Sequence, residues 1–269
     1  TVEGTSTNIT GSVFGGGNIS KTSGTTNINI NSGTHTADIY GGGNVGILEG
    51  TSNVTINGGN SSDVYGGGKS ADVTNSNVYI KDGETTNVYG GGNQAGSQST
   101  YIEITGGTTT AVYGGSNQSG TVNTTTINAN GGTAGDIFGG NNEGGTCPET
   151  NVARNGSSVT DAVYGGGNQV ATQNTTVTLN NSGNEIPYIF GGGKSADATT
   201  TNVTINGGTA TSVFGGSNTS GTVTTSNVSM VGGTMGNVYG GNNAGGTTVT
   251  SNVIVSGGTT NNVFGGGNQ

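Results

Sequence analysis

The chain has 269 residues, of which 59 are glycine and only 27% are hydrophobic, too little apolar material for an ordinary single-core globule and a reason to look first for disorder or repeats. Disorder calls for high charge as well as low hydrophobicity, yet charged residues make up only 7%. A formal net charge of −9, from 14 acidic and 5 basic residues, leaves no basic surface to meet phosphates or anionic lipid, so neither nucleic acid nor a membrane surface is an expected partner.

The chain opens on Thr1-Val2-Glu3-Gly4, with no basic and apolar leader, and no later stretch approaches the roughly 20 apolar residues of a membrane helix. The expectation is a soluble chain, mature or excised from a longer one, with no membrane insertion. Asn-x-Ser/Thr triplets at Asn8, Asn53, Asn202 and Asn227 fall within the expected strands, where a glycan on every coil would clash, so they read as products of an Asn/Thr-rich repeat.

One box then recurs to the last residues: a β-branched residue, an aromatic, two glycines, a small residue, then Asn or Lys. Its aromatics are Phe14, Tyr40, Tyr65, Tyr89, Tyr113, Phe138, Tyr164, Phe190, Phe214, Tyr239 and Phe264. They lie 24 to 26 residues apart, 25 on average, and account for eleven of the 14 Phe and Tyr residues. Between boxes runs a short alternating segment closed by glycines, as in Asn53-Val54-Thr55-Ile56-Asn57-Gly58-Gly59 and Asn202-Val203-Thr204-Ile205-Asn206-Gly207-Gly208. Period-two alternation puts Val and Ile on one face and Asn and Thr on the other, which predicts a strand. Each unit therefore reads as strand, Gly-Gly turn, strand ending in the box, glycine-rich corner, and a Thr/Ser/Gly segment. A weaker apolar position at Val73, Val122, Val223 and Val249 suggests a short third strand there.

No 3.6-residue apolar period appears, and glycine with β-branched residues disfavours helix throughout. Units this short cannot bury a face alone; stacked about 4.8 Å apart they form continuous parallel sheets around a narrow apolar interior. The predicted fold is all-β, a parallel β-solenoid of about eleven coils of about 25 residues, expected to be right-handed, spanning residues 1–269 as one repeat domain. The box asparagines Asn18, Asn44, Asn93, Asn117, Asn142, Asn168, Asn218, Asn243 and Asn268 then stack coil over coil into an amide ladder. The Gly-Gly-Gly-Asn sequence reads as corner geometry, with glycines supplying positive φ, and not as a phosphate cradle, since no strand-loop-helix context surrounds it. Lys69-Ser70-Ala71-Asp72 recurs as Lys194-Ser195-Ala196-Asp197, the mark of a duplicated multi-coil block.

Residues that could carry chemistry are few. His35 is the one histidine and is expected at a surface turn, without the converging partners of a metal site or a triad. Cys147, the one cysteine, permits no intrachain disulfide, and with Pro148, Glu149 and Arg154 it marks the least regular coil, expected to be a loop excursion. Asp63, Asp136 and Asp161, with Asp38 likewise, are taken to precede boxes at matching positions, each on its own coil, and read as variation in a polar column. The neighbouring Asp38 and Asp63 leave a weak cation site open. Asn or Lys stands where a calcium-binding nonapeptide repeat needs Asp. No catalytic residue, cofactor or metal is expected, and the chain is read as a non-enzyme.

Two surfaces remain as binding candidates. The aromatic column is either core or a stacked ledge for sugar rings; strict alternation turns it outward, but an aromatic in every coil of so apolar-poor a chain favours core. The outer Asn/Thr row of the first strand is similar to the flat ladders of ice-binding solenoids, though Tyr79, Glu103, Ala153 and Ile254 interrupt it.

The Val-Tyr-Gly-Gly-Gly-Asn coil with its Asn-Val-x-Ile strand resembles, over essentially the whole chain, the repeat arrays of bacterial secreted and surface proteins, including autotransporter passengers and filamentous adhesins. The resemblance is architectural and transfers no site residue. It implies an extracellular or cell-surface structural or adhesive rod, whose partner is itself, end to end or laterally, or a surface glycan or protein. The alternative from another class is a ligand-binding solenoid for glycan or ice.

Overall fold

A computed structural model of the protein describes residues 7–180 and 184–269. Among these residues every regular element is a strand, and the chain winds as a parallel β-solenoid of about ten turns of about 25 residues. One sheet holds ten long strands and the other fifteen shorter ones, with eleven positions in its main path. Pairing joins equivalents one coil apart, Val54 opposite Val78 and Tyr65 opposite Tyr89, so like residues stack on like. This register follows from the sequence period, because a slip of one residue would turn every Val and Ile outward.

The alternating runs behave as their pattern dictates. In Leu48–Ile56, Val54 and Ile56 are fully buried while Asn53 and Thr55 face out, and Val203 and Ile205 repeat this in Ala198–Ile205. The separate third strand expected at Val73, Val122, Val223 and Val249 does not exist. Those residues belong to the first part of the long strands Val73–Ile80, Val122–Ala129, Thr222–Met230 and Thr247–Val255. In Val122–Ala129 the buried positions are Val122, Thr125, Ile127 and Ala129. Residues 122 and 125 lie on opposite faces of a straight strand. The inward phase therefore shifts by one residue between them, where the pairing with the preceding coil skips Asn123, and this made Val122 look detached.

Glycine works in two ways here. The last glycine of most turns between the two sheets, such as Gly83 at φ 87° and Gly208 at φ 81°, takes the left-handed conformation that L side chains resist. The box glycines do not: none of them has positive φ, contrary to the sequence expectation. Close approach demands them instead. A Cβ on Gly90 would lie 2.1 Å from the carbonyl oxygen of Gly114, its equivalent in the next coil.

That carbonyl belongs to a column running the length of the rod. Backbone bonding between coils passes from Gly15 N–H to Tyr40 C=O and from Gly16 N–H to Gly42 C=O, skipping the Gly41 carbonyl. A hydroxyl on the long strand takes its place: Thr26 donates to Gly41 O at 2.8 Å, Ser76 to Gly90 O at 2.6 Å, Thr125 to Gly139 O at 2.6 Å and Thr201 to Gly215 O at 2.6 Å. These buried hydroxyls tie one sheet to the other across the interior, satisfying an acceptor that would otherwise be buried without a partner.

Candidate functional site

Each box places two consecutive residues under cover. The β-branched residue, such as Val64 or Val213, enters the main apolar interior; the aromatic after it points to the opposite face of the sheet and joins a second, separate cluster of rings. Successive rings stack from Phe14 to Phe264 with centroids 4.6–5.1 Å apart and planes within 11° of parallel. Each ring shields its neighbours' faces, so Tyr40 and Phe190 are only 1% exposed although they lie outside the main core. The rings thus lie away from the main interior and are covered all the same.

Ring edges are closed by flanking side chains. Tyr40 Oη donates to Asp38 at 2.9 Å, and the amides of Asn117 and Asn218 donate to the hydroxyls of Tyr65 (3.2 Å) and Tyr164 (3.0 Å), two coils earlier. Burial, with nearby carboxylates, pushes the phenol pKa values of Tyr113 and Tyr164 up to about 12, and raises those of Tyr40, Tyr65 and Tyr89 as well.

The amide ladder forms where the box supplies Asn. Asn44 donates to Asn18, Asn117 to Asn93, Asn142 to Asn117, Asn168 to Asn142, Asn243 to Asn218 and Asn268 to Asn243, at 2.8–3.0 Å. Lys69 and Lys194 divide it into three runs. A ladder the sequence reading missed closes the long strands, Asn155 to Asn130, Asn180 to Asn155 and Asn206 to Asn180, each at 2.7 Å. The outer residues Thr55, Tyr79, Glu103, Ala153, Thr204 and Ile254 share one column of the long sheet, so that face presents mixed chemistry rather than a uniform lattice.

Two expectations are corrected. His35 is no surface residue: it is 2% exposed in the short strand Thr34–His35, aligned with Ile9 and Ser61, and its Nε2 lies 3.1 Å from Ser32 O. It occupies an inward column that carries Ser61, Thr85 and Thr109 in the following coils. The coil of Cys147 and Arg154 is no loop excursion either. Glu149–Arg154 pairs in register on both sides, and Arg154 fills the inward position held by Ala129 before it and Leu179 after it. The small Ala129 leaves room beside the long side chain, whose Nη2 donates to Asn184 O at 2.9 Å, and desolvation lowers the guanidinium pKa. Burial raises the Cys147 thiol to about 12, which makes it a poor nucleophile.

The aspartates fall into two neighbouring pairs. Asp63 accepts from Asn87 at 2.9 Å; burial raises its pKa, repulsion from Asp38 adds to this, and the Asn87 bond opposes it. Asp136 and Asp161 belong to a different environment. In most coils the inward residue at the start of the second sheet stands three positions ahead of the one before the aromatic, as Thr85 ahead of Val88. From Val159 to Val163 the step is four, as it is from His35 to Ile39, and the extra residue splits the strand into Ser158–Val159 and Ala162–Tyr164. Asp161 lies on this insertion. One coil on, Tyr188 stands between Ala162 and Ser212 in register and is 45% exposed. From the next corner Lys194 reaches back two coils to lie 3.6 Å from Asp136. A concavity of about 350 Å3 collects these groups, with Pro187, Tyr164 and Asn218 completing its wall. Burial raises the Asp136 carboxyl pKa, repulsion from Asp161 works in the same direction, and Lys194 opposes both. Among the described residues no three His, Cys, Asp or Glu side chains converge as a metal-ligand set.

Comparison of the chain with protein-family models, curated proteins and solved structures returned no match.

Proposed function

We propose that the protein is a structural or adhesive rod of the cell exterior, which lengthens by stacking further coils of the same kind on its end. The observation that carries this reading is the continuity of its internal columns. Rings repeat in every coil and interior hydroxyls and amides in most of them, so a further coil is an addition to length with a chemically similar face on either side. Another copy would continue the same coil-to-coil register head to tail, a contact that need not close into a ring. The extracellular setting rests on the likeness of the coil to secreted repeat arrays.

Electron microscopy and light scattering on the purified chain over a range of concentrations test the assembly. Rods of constant width, lengthening with concentration in steps of roughly 50 Å per chain at about 4.8 Å per coil, are expected. Compact monodisperse monomers at high concentration would overturn the stacking.

A further inference from the structure

We propose that the concavity around Tyr188 is a carbohydrate subsite that takes one neutral pyranose ring of a glycan. The inference stands apart from the rod reading, since the rod can stack with this site empty and the site can fill in a chain that does not stack.

Four departures from the repeat converge there. Tyr188 is a large ring in a column that holds Ala162 and Ser212 on either side, so its ring projects past both neighbours as a ledge. Asp161 stands on the inserted residue that breaks the second-sheet strand. Lys194 interrupts the amide ladder, and Asp136 is the partner it reaches. None of these is required for stacking, because other coils stack with Ala, Ser or Asn in the same columns. The earlier copy of the Lys-Ser-Ala-Asp block has the same extra residue, between His35 and Ile39, but not these side chains: the position equivalent to Tyr188 is Asp63 and that equivalent to Asp161 is Ala37.

The chemistry suits a sugar. A pyranose has one face of axial C–H groups that lies against an aromatic ring and a rim of hydroxyls that both donate and accept. An exposed phenol ring beside a few convergent polar groups meets both demands. Asp161 and Asp136 accept from hydroxyls; Lys194 and the Asn218 amide donate to them. The Asp136 and Lys194 charges partly balance, which favours a neutral ring over an anionic one.

Saturation-transfer NMR with the methyl glycosides of glucose, galactose, mannose and N-acetylglucosamine tests this directly. At least one glycoside is expected to receive saturation mainly on the protons of a single ring face. Tyr188→Ala should weaken its binding by about tenfold or more, the effect of losing a central aromatic anchor. Lys194→Asn should weaken it too while folding normally, since it restores the Asn of nine other boxes. Tyr101→Ala, on the other sheet, should leave binding unchanged. Absence of transfer to all four glycosides, binding that survives Tyr188→Ala, or an equal loss in Tyr101→Ala would each overturn the proposal. Superimposable thermal melts of the variants separate loss of the site from loss of fold.

Discussion

At Gly90 and Thr201 the same interior carbonyl column decides what a residue can be. An alanine at Gly90 would drive its Cβ into Gly114 O, whereas Thr201 is needed because Gly215 O has no backbone donor. Thr201→Val keeps the shape and removes the donor, and is expected to cost about 1–3 kcal/mol in denaturant melts, the penalty for a buried acceptor left without a partner. Thr204→Val, three residues on and facing out, should change stability by less than about 0.5 kcal/mol. Equal effects would mean that the hydroxyl column does not hold the sheets together. Val203→Asp, which puts a charge into the apolar interior, should cost several kcal/mol or more and unfold its neighbouring coils.

Asp63 gives a pH-dependent case at the same scale. Its pKa is raised in the folded state, so the folded chain holds the proton more tightly than the unfolded one. The associated stability is present below the unfolded pKa and lost as pH rises through the folded value. At neutral pH the carboxylate therefore destabilises. Asp63→Asn removes the charge and offers an amide in a column where Asn262 already donates to Asn237 at 2.8 Å. The variant is expected to melt higher than the parent at pH 7, with the gap closing as pH approaches 4. A gap independent of pH would show that the charge is not its cause.

The ring column behaves as one element made of contributions from eleven coils. Its phenols are held neutral by burial, so alkaline difference spectroscopy should show a set of tyrosines ionising well above pH 10, with Tyr113 and Tyr164 near 12. Because their folded pKa values are raised, the stability they contribute is complete below about pH 10 and falls as the pH climbs through 12. Alkaline unfolding should accompany the late ionisation. Ionisation of all tyrosines near pH 10 in a still-folded chain would contradict the closed stack. The long strands show why such elements are hard to read from pattern alone: the phase shift between Val122 and Thr125 breaks the alternation without breaking the strand, and the buried Ser and Thr of the hydroxyl column are hidden among many exposed ones.

For the whole molecule, pairing between equivalents means that a coil is the unit that can be removed. Deleting residues 90–113 joins Tyr89 to Gly114 and brings Asn128 and its strand over Tyr79 in the register that Glu103 now occupies. The shortened chain is expected to fold, with a sheet signature in circular dichroism and a melt close to the parent's, as nearest-neighbour stacking predicts. Deleting residues 90–101 moves half a coil and turns strands of one sheet onto the other, so it should abolish cooperative melting. Similar behaviour of the two deletions would argue against a solenoid with independent coils.

The sequence by itself determined the period, the strand phase and the stacking of like on like, because each is written in residues that recur every 25 positions with a stated physical preference. The alternation of Val and Ile and the paired glycines at the turns are local signals that the fold obeys. What only the tertiary structure decided depends on which chains meet across the interior. Box glycines follow from a carbonyl in the next coil and not from their own φ, and Arg154 and His35 are buried because their columns point inward, however polar the side chains. The site around Tyr188 is assembled from three successive coils by an insertion and a side chain reaching back over two of them. No spacing in the sequence shows where such a reach ends, since its geometry exists only once the coils are stacked.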